Sequence, residues 1–333
     1  MKVEQFVRRR VLVALCASLV LAPAVAADAS KESARDYPNH PIRMLVPNAP
    51  GSSVDTLGRI FAQGLMNVSG QQVVIDNRAG AGGVLGMEIG KNANPDGYTV
   101  ISASTAAMTI APHIQSKLPF DPLKDYEFVS LFGITPNVLV VTPSLPVKSV
   151  KELIEYCRGK SDQVNMASAG PGAQSHLAGV LLMSVGKFQS LHVPYKGGGA
   201  SVASVVAGES QWTITPAPAV AGLIRSGKLR AIGHSLPKRD PLLGDLPAVA
   251  ETVGGYEYSG WNGLLAPRGT PKPIVDKLRA LLIKALQTPE VKKGFEQQLT
   301  QVYTNNAAEF RAFVAKELKE MGPVVKAAGL KVE

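Results

Sequence analysis

The sequence has only two cysteines, Cys16 and Cys157, and aromatic residues make up just 6% of its 333 residues. Cys16 lies in an N-terminal segment that we expect to be removed, so Cys157 has no partner for an internal disulfide. After that segment, no apolar run reaches the ~18 residues of a membrane helix. The chain must therefore rest on apolar cores, and its length is sufficient for two domains.

The N-terminal segment has the features of a signal peptide. Arg8–Arg10 precede the apolar stretch Val11–Leu21, and Ala24–Ala26 supply a small-x-small cleavage pattern. The apolar stretch is too short to span a membrane. We expect cleavage near Ala26, through the ordinary secretory route or as a twin-arginine signal, so the mature protein is expected to be exported. A bulky leucine before Cys16 disfavours a lipoprotein.

The positive charge does not predict nucleic-acid binding. Removing the signal peptide takes away four basic residues and one acidic residue, which lowers the formal charge from +9 to +6. The remaining lysines and arginines form no block of five or six and are not interleaved with aromatic residues. We therefore expect a general preference for anions, and no nucleic-acid partner.

The common catalytic and cofactor motifs are also missing. The sequence lacks GxxxxGK[ST], GxSxG and HExxH, and no carboxylate pair has a spacing suited to acid–base catalysis. Gly80, Gly82 and Gly86 resemble a dinucleotide loop, but their spacing is one residue too long and no acid ends the next strand. We predict no enzyme activity, no metal and no cofactor, although a catalytic triad assembled from distant positions stays open.

What the sequence does contain is a regular alternation of strands, loops and helices. This alternation predicts an α/β fold in which mostly parallel sheets are flanked by helices. The last third is mostly helical, with caps at Thr270, Thr288 and Asn306. The predicted strands are Ile42–Val46, Gln72–Ile75, Tyr98–Ile101, Asn137–Val141, Val164–Ala167, Leu191–Pro194, Gln211–Thr215 and Leu229–Gly233; the predicted helices include Val54–Met66, Val84–Asn92, Ser149–Cys157 and Gln174–Val185.

Three strand ends lead through loops of small residues into helices. The loops are Pro47–Ser53, Gly80–Gly83 and Gly170–Ser175, which we call the first, second and third loops. Such loops meet at the carboxyl edge of a parallel sheet, and helix starts there offer free N–H groups to an anion. A small carboxylate would suit them. Glycine loops also serve simply to turn a strand into a helix, and that alternative stays open.

These motifs resemble a known family. The chain is similar to the periplasmic solute-binding proteins of tripartite tricarboxylate transporters, the Bug receptors, from Tyr37 to about Gly329. The resemblance is carried by YPNHPIRMLVPNAPGSSVD, VVIDNRAGAGGVLG, PDGYTVI, LPFDPLKDYEFVS, PNVLVVTPSLPVKSVKELI, ASAGPGAQSHLAG, HVPYKGGGAS, SGKLRAIG and GWNGLLAPRGTP, in this order.

The resemblance implies a two-domain Venus-flytrap fold with two hinge strands, for which Val138–Val141 and Gly260–Leu265 are the candidates. Residues 27–137 and 261–333 would form domain I, and residues 138–260 domain II. The implied function is to bind a carboxylated solute between the domains and deliver it, as a monomer, to the membrane subunits of the transporter. A sensor kinase is an alternative partner, in which case the protein would report solute levels.

The resemblance also implies which residues touch the ligand. The first two loops would hold one carboxylate, and the third loop would face the other end. Asp55 would organise its loop and cap the helix, since a carboxylate there would repel an anion. The predicted ligand-binding set is Asn48, Ala49, Gly51, Ser52, Ser53, Ala81, Gly82, Gly83, Ser104, Thr105, Asn137, Gly172, Gln174, Ser175, His176 and Thr215.

Several of these positions depart from the family pattern. Asn48 replaces an aromatic residue, Ser52 replaces a glycine, and Pro171 and Ala173 stand where asparagine and threonine are common. Thr215 replaces an aspartate that many members carry. We therefore expect a ligand without an α-ammonium group, either a di- or tricarboxylate or an aromatic acid. A bulky side chain at Gly83 is expected to abolish binding while the fold survives.

Overall fold

The computed structural model of the protein describes residues 35–160 and 163–330, so the predicted signal peptide lies outside the described residues. None of the described helices is long and apolar enough to cross a membrane. The strands are β1 Ile42–Val46, β2 Val73–Asn77, β3 Thr99–Ser104, β4 Tyr126–Val141, β5 Asn165–Ser168, β6 Leu191–Pro194, β7 Trp212–Pro216, β8 Arg230–His234, β9 Ser259–Pro267 and β10 Gln301–Val302. The α-helices are α1 Ser53–Ser69, α2 Val84–Lys91, α3 Ala111–Ile114, α4 Val150–Gly159, α5 Gln174–Gly186, α6 Gly198–Ala207, α7 Ala221–Arg225, α8 Lys272–Gln287, α9 Pro289–Gln297 and α10 Ala307–Ala327, and a π-helix spans Ala106–Ile110.

The strands form two sheets that share β4. The first sheet has the order β2-β1-β3-β9-β4-β10, and the second has the order β8-β4-β7-β5-β6. We call the part built on the first sheet lobe one and the part built on the second sheet lobe two. The predicted two-lobed α/β fold of the periplasmic binding proteins is confirmed.

The chain passes between the lobes twice, close to the predicted positions. Pro136 is the last β4 residue paired with β9, and Asn137 is the first paired with β7. The return passage ends at Ser259, where β9 begins in the first sheet. Val138–Val141 and Gly260–Leu265 therefore lie just beyond the crossings rather than in them, since the change of sheet occurs where the hydrogen-bonding partner changes.

Lobe one has helices on both faces of its sheet. Helices α1, α8 and α9 bury Phe61, Leu282 and Phe295 against one face. Helices α2 and α10 and the π-helix cover the other face, with Met87 and Phe310 in its core. Since both faces of a parallel sheet need apolar cover, this three-layer arrangement explains why most residues of the central strands in lobe one are apolar.

Lobe two repeats the arrangement, and the C-terminal helix connects it to lobe one. Helices α4 and α5 cover one face of the second sheet, and α6 and α7 cover the other. Helix α10 starts on lobe one, where Phe310 and Val314 are buried, but its Met321 and Val325 belong to the core of lobe two. The helix therefore packs on both lobes and crosses from one to the other.

Individual elements agree with the prediction to different degrees. Strands β1 and β6 have the predicted bounds, and most of the other predicted strands are shifted by one to three residues. The main omission is the part of β4 from Tyr126 to Pro136, where Gly133 and Pro136 interrupt the strand pattern. Helices α6 and α7 were also missed, because a glycine-rich start and a short length give weak helix signals.

Candidate functional site

The two sheets turn their carboxyl edges towards each other. Strands β1, β2 and β3 are mutually parallel, and β4 runs in the same direction because both β3 and β4 are antiparallel to β9. In lobe two, β7 and β8 run opposite to β4, and β5 and β6 are parallel to β7. Strand ends in both lobes therefore face a common cleft, where α/β proteins bind ligands.

The first loop is organised around Asp55, which is 2% exposed. Its carboxylate accepts hydrogen bonds from Gly51 N at 2.8 Å, Arg59 Nε at 3.0 Å and Asn77 Nδ2 at 2.9 Å. Burial alone would raise the pKa of Asp55, but these hydrogen bonds hold it below its usual value. The carboxylate is thus ionised and already fully engaged within the loop.

Helix α1 begins with free backbone donors. Its N-cap is Ser52, rather than the predicted Asp55, and the Ser52 hydroxyl accepts from Asp55 N at 3.3 Å. Among the described residues, the N–H groups of Ser53 and Val54 have no acceptor. Two N–H donors at the positive end of a helix are therefore available to an anion.

The second loop has an unusual run of left-handed residues. Ala81, Gly82 and Gly83 have φ values of 46°, 68° and 103°. The N–H of Gly83 donates to Gly80 O at 2.8 Å, whereas those of Ala81 and Gly82 have no acceptor within the described part of the chain. Left-handed backbone at a non-glycine residue such as Ala81 is strained, and such strain is characteristic of binding sites.

The expectation for Gly83 needs a correction. A Cβ at this position would lie 3.0 Å from Ala107 Cβ and 3.2 Å from Pro47 O, and φ is already in the left-handed region. A bulky side chain would therefore disturb the fold itself, so this variant cannot test binding alone. At Gly82, a Cβ would meet nothing within 4 Å.

The third loop presents its donors from lobe two. Helix α5 has Ala173 as its N-cap, without a side-chain hydrogen bond. The Ser175 hydroxyl accepts from Ala169 N at 3.0 Å, while the N–H groups of Gln174 and Ser175 have no acceptor in residues 35–160 and 163–330. Gly172 packs against Ile114 of lobe one, so this glycine permits close approach of the lobes.

His176 follows these residues and is 5% exposed. Its Nδ1 accepts from Gly172 N at 3.2 Å, and its ring stacks on that of His192 with centroids 4.1 Å apart. Burial, with a smaller contribution from His192, lowers the pKa of His176 to about 4. His176 is therefore neutral near pH 7, and because Nδ1 is the acceptor, Nε2 carries the proton and can donate.

The floor of the cleft has buried polar atoms without partners. These are Ser104 Oγ, Asn137 Oδ1, Gln174 Nε2 and Asn262 Oδ1; the other such atoms in the described residues are Asn48 Oδ1 in the first loop, Ser102 Oγ on β3 and His234 Nε2 at the end of β8. Ser104 and Asn262 lie opposite each other on β3 and β9. Gln174 reaches across from lobe two, and its side-chain amide packs against Gly260 at the start of β9. Buried polar groups without partners are rare in folded proteins, so their grouping here marks a place prepared for polar contacts.

The predicted ligand-binding residues lie in lobe one, in lobe two and at the first crossing between them. Two of them, Thr105 and Thr215, are almost fully buried, and the Thr105 hydroxyl already accepts a hydrogen bond from Trp261 N at 3.1 Å. Asn137 lies at the first crossing, where its Nδ2 donates to Tyr258 O at 2.6 Å. Lobe one contributes Asn48, Ala49, Gly51, Ser52, Ser53, Ala81, Gly82, Gly83, Ser104 and Thr105, and lobe two contributes Gly172, Gln174, Ser175, His176 and Thr215.

Asn262 and Thr135 were not among the predicted residues. Asn262 Nδ2 donates to Thr135 Oγ1 at 3.1 Å, and this pair joins β9 to β4 beside Ser104. The available signal was the lone asparagine in the apolar strand Ser259–Pro267. In the described part of the chain, no three histidine, cysteine, aspartate or glutamate side chains are grouped in a way that could hold a metal.

Comparison with known proteins identifies the family of this chain. The sequence profile of the tripartite tricarboxylate transporter family receptor, TctC, matches residues 57–330. Protein BugT of Bordetella pertussis strain Tohama I is 34% identical over 313 residues, which cover 93% of this chain and 96% of BugT.

Solved structures show the same fold. A structure of an R. palustris protein with adipate has a TM-score of 0.84 and 30% identity, covering 90% of this chain and 100% of that chain. MatC from Rhodopseudomonas palustris, with bound malate, has a TM-score of 0.78 and 30% identity, covering 87% and 100%. Receptors of this kind bind small carboxylates and work with membrane transporter subunits. The chain therefore belongs to the tripartite tricarboxylate transporter receptor family, whose members are periplasmic solute-binding proteins and not enzymes.

Proposed function

We propose that this protein closes over a small organic acid in the cleft and delivers it to the membrane subunits of a tripartite tricarboxylate transporter. The observation that carries the proposal is the opposition of free N–H donors across the cleft. Ser53, Val54, Ala81 and Gly82 present them from lobe one, and the start of α5 presents them from lobe two.

The number of donors is sufficient for useful affinity. Burying a carboxylate without partners costs several kcal/mol, while each hydrogen bond to a charged group returns about 1.5–3 kcal/mol. Four donors on lobe one would offset that cost. The binding free energy that remains after this cost is compatible with the roughly −8 kcal/mol of a micromolar complex. The site therefore needs no arginine to bind a carboxylate.

The second set of donors favours a ligand with two polar ends. A ligand that contacts both lobes stabilises the closed arrangement, because only that arrangement allows both contacts. The similarity to receptor structures with adipate and with malate supports a dicarboxylate. We retain tricarboxylates and aromatic acids as ligand classes, since the side chains of lobe two determine the distal contacts.

An amino acid is a poorer match. An α-ammonium group needs a carboxylate partner, and Asp55 is fully engaged with Gly51, Arg59 and Asn77. At the position where many family members carry aspartate, this chain has the uncharged Thr215. We propose that the ligand lacks an α-ammonium group.

The proposal includes export and a membrane partner. The basic N-terminus, its apolar stretch and Ala24–Ala26 support cleavage near Ala26 and a periplasmic location. The proposed division places residues 27–137 and 261–333 in domain I and 138–260 in domain II. We expect the receptor to act as a monomer.

Calorimetry and thermal-shift measurements on the mature protein would test the ligand class. The panel should include succinate, malate, adipate, citrate, benzoate, aspartate and glutamate. We expect at least one acid without an ammonium group to bind with a micromolar Kd, and aspartate and glutamate to bind at least about tenfold more weakly. Preferential binding of either amino acid would refute the ligand class. Chemical conversion of the bound acid, followed by NMR, would refute the receptor function.

A further inference from the structure

A cavity of about 500 Å³ lies outside the cleft, beside the edge strand β8. Lobe two supplies most of its wall, from α7, β8 and the segment 243–247. Lobe one supplies Leu299, which lies between α9 and β10. This volume is in the range of known small-molecule sites, and nothing in the proposed carboxylate function uses it.

The lining of the cavity is mainly apolar. Ala221, Ile224, Ala231, Ile232, Leu246 and Leu299 contribute aliphatic surface. An apolar concavity of this size between two packed elements favours a ligand with an apolar body, since burial of that body away from water is the main source of binding free energy.

The rim of the cavity is cationic. Lys148 and Arg225 are exposed side chains at the rim, and neither belongs to any ion pair in the described part of the chain. Asp245 is the one acid among the lining residues; the Arg239 guanidinium, which is paired with Glu251, donates to the backbone carbonyl oxygen of Asp245 at 3.1 Å. The two cations Lys148 and Arg225 therefore outnumber the single acid of the lining. The rim therefore complements an anionic head group.

The same cavity touches both lobes. Arg225 Nη1 donates to Gln297 O at 2.7 Å, which links α7 of lobe two to the end of α9 in lobe one. Leu299 has a φ of 51°, a strained value for a leucine. A ligand in the cavity would contact Leu299 and lobe two together and would thus hold the segment 298–302 against lobe two.

We propose that this cavity is a second binding site, for an amphiphilic carboxylate with an aliphatic or arylalkyl body, and that its occupancy ties lobe two to residues 298–302. The site differs from the cleft in the ligand property that it recognises. The cleft offers backbone donors to charged ends, whereas this cavity offers aliphatic surface with a cationic rim.

Octanoate is a suitable probe, with 1-octanol as its uncharged counterpart, both below the concentrations at which they aggregate. We expect octanoate to bind the Gly82→Asn variant, in which the cleft is blocked, with one site per chain and more tightly than 1-octanol. It should also slow amide hydrogen exchange in residues 298–302. No binding, or equal binding of 1-octanol, would overturn the proposal, and unchanged exchange would overturn the coupling to lobe one.

Variants distinguish octanoate binding in the cavity from octanoate binding in the cleft. Lys148→Glu should weaken octanoate binding at least about tenfold, and Ile224→Glu should abolish it, because each places a negative charge at the cavity. The matched controls are Lys151→Glu, three residues after Lys148 in the first turn of α4 and outside the cavity lining, and Leu191→Glu, at an exposed leucine on β6. Gly82→Asn should leave octanoate binding unchanged. If Gly82→Asn removed octanoate binding and Lys148→Glu did not, octanoate would be a ligand of the cleft and the second site would be refuted.

Discussion

The two lobes prepare the cleft in different ways. Lobe one offers backbone N–H groups from two loops, and the Asp55 carboxylate is fully hydrogen-bonded within the first loop. Lobe two offers one helix start with the side chains of Gln174 and His176 beside it. Backbone donors recognise any carboxylate, whereas side chains distinguish one ligand from another. We infer that lobe one determines that an acid binds and lobe two determines which acid.

The largest effect should follow from blocking the backbone donors of lobe one. Gly82→Asn adds a side chain in open space, and asparagine tolerates the left-handed φ of 68°. We expect a loss of ligand affinity of about 100-fold or more, since at least one charge-assisted hydrogen bond of 1.5–3 kcal/mol is lost and the ligand is displaced. Calorimetry with the ligand would measure the affinity of this variant and of the unchanged protein.

The matched control is Gly70→Asn. Gly70 is also left-handed, with φ 71° and nothing within 4 Å of a Cβ, but it ends α1 away from the cleft. Both variants should have similar unfolding free energies. Undiminished affinity in Gly82→Asn would mean that the second loop is structural only.

Features of the two lobes that depend on neighbouring residues could be predicted from the sequence, whereas features that depend on contacts between distant residues could not. The three loops follow apolar strands directly, so the small residues between each strand and the next helix were sufficient to find them. Asn262 and Thr135 are 127 positions apart, and their pairing depends on the register of β9 against β4, which no local pattern specifies. The crossing of α10 from lobe one to lobe two depends in the same way on long-range packing of Met321 and Val325.

A second contrast between the lobes concerns pH. In lobe two, burial lowers the pKa of His176 to about 4. On the lobe-one side, burial raises the pKa of Glu317, on α10, to about 7, although hydrogen bonds from the Trp261 indole and the Thr109 side chain act in the opposite direction. The Glu317 side chain is partly exposed as a whole, and its carboxylate accepts a hydrogen bond from the Trp261 indole.

The two groups should change the stability in opposite directions. His176 has a folded-state pKa below its unfolded value of 6.5, so the stability it contributes above pH 6.5 is lost as pH falls towards 4. Glu317 has a folded-state pKa above its unfolded value of 4.5, so the stability it contributes below pH 4.5 is lost as pH rises through 7. Each shift corresponds to about 3 kcal/mol, and the two nearly cancel between pH 4.5 and 6.5.

Denaturant unfolding between pH 4.5 and 7.5 would separate the contributions of His176 and Glu317 to stability. His176→Phe should become less stable as pH rises through this range, because the Glu317 contribution is then opposed only by the smaller downward pKa shifts of His192 and His234. Glu317→Gln should become more stable as pH rises to 6.5. Parallel pH profiles for the two variants would contradict the assignment of opposite signs.

A smaller effect is expected from the side chains of lobe two. Gln174→Ala removes a buried Nε2 that has no partner in the protein, so the unfolding free energy should not fall. Ligand affinity should fall about tenfold if Nε2 donates to the ligand, and the ranking of different acids should change. Gln63→Ala, at an exposed glutamine on α1 that bonds Asn67, is the control. A loss of stability without any change in ligand ranking would assign Gln174 a purely structural role.

The smallest effect concerns the two helix starts themselves. Ser52 caps α1 in lobe one, whereas α5 in lobe two begins at Ala173 with no side-chain cap. The backbone at Ala173 has φ −66° and ψ 154°, the extended conformation that a serine cap requires. Ala173→Ser should raise the unfolding free energy by about 0.5–1 kcal/mol. It should also weaken ligand binding a few-fold, because its hydroxyl would compete with the ligand for an N–H of the first turn. Ser52→Ala should instead lower the stability by about 1 kcal/mol. If Ala173→Ser gained stability and kept full affinity, the start of α5 would not contact the ligand, and the distal contacts would have to come from side chains alone.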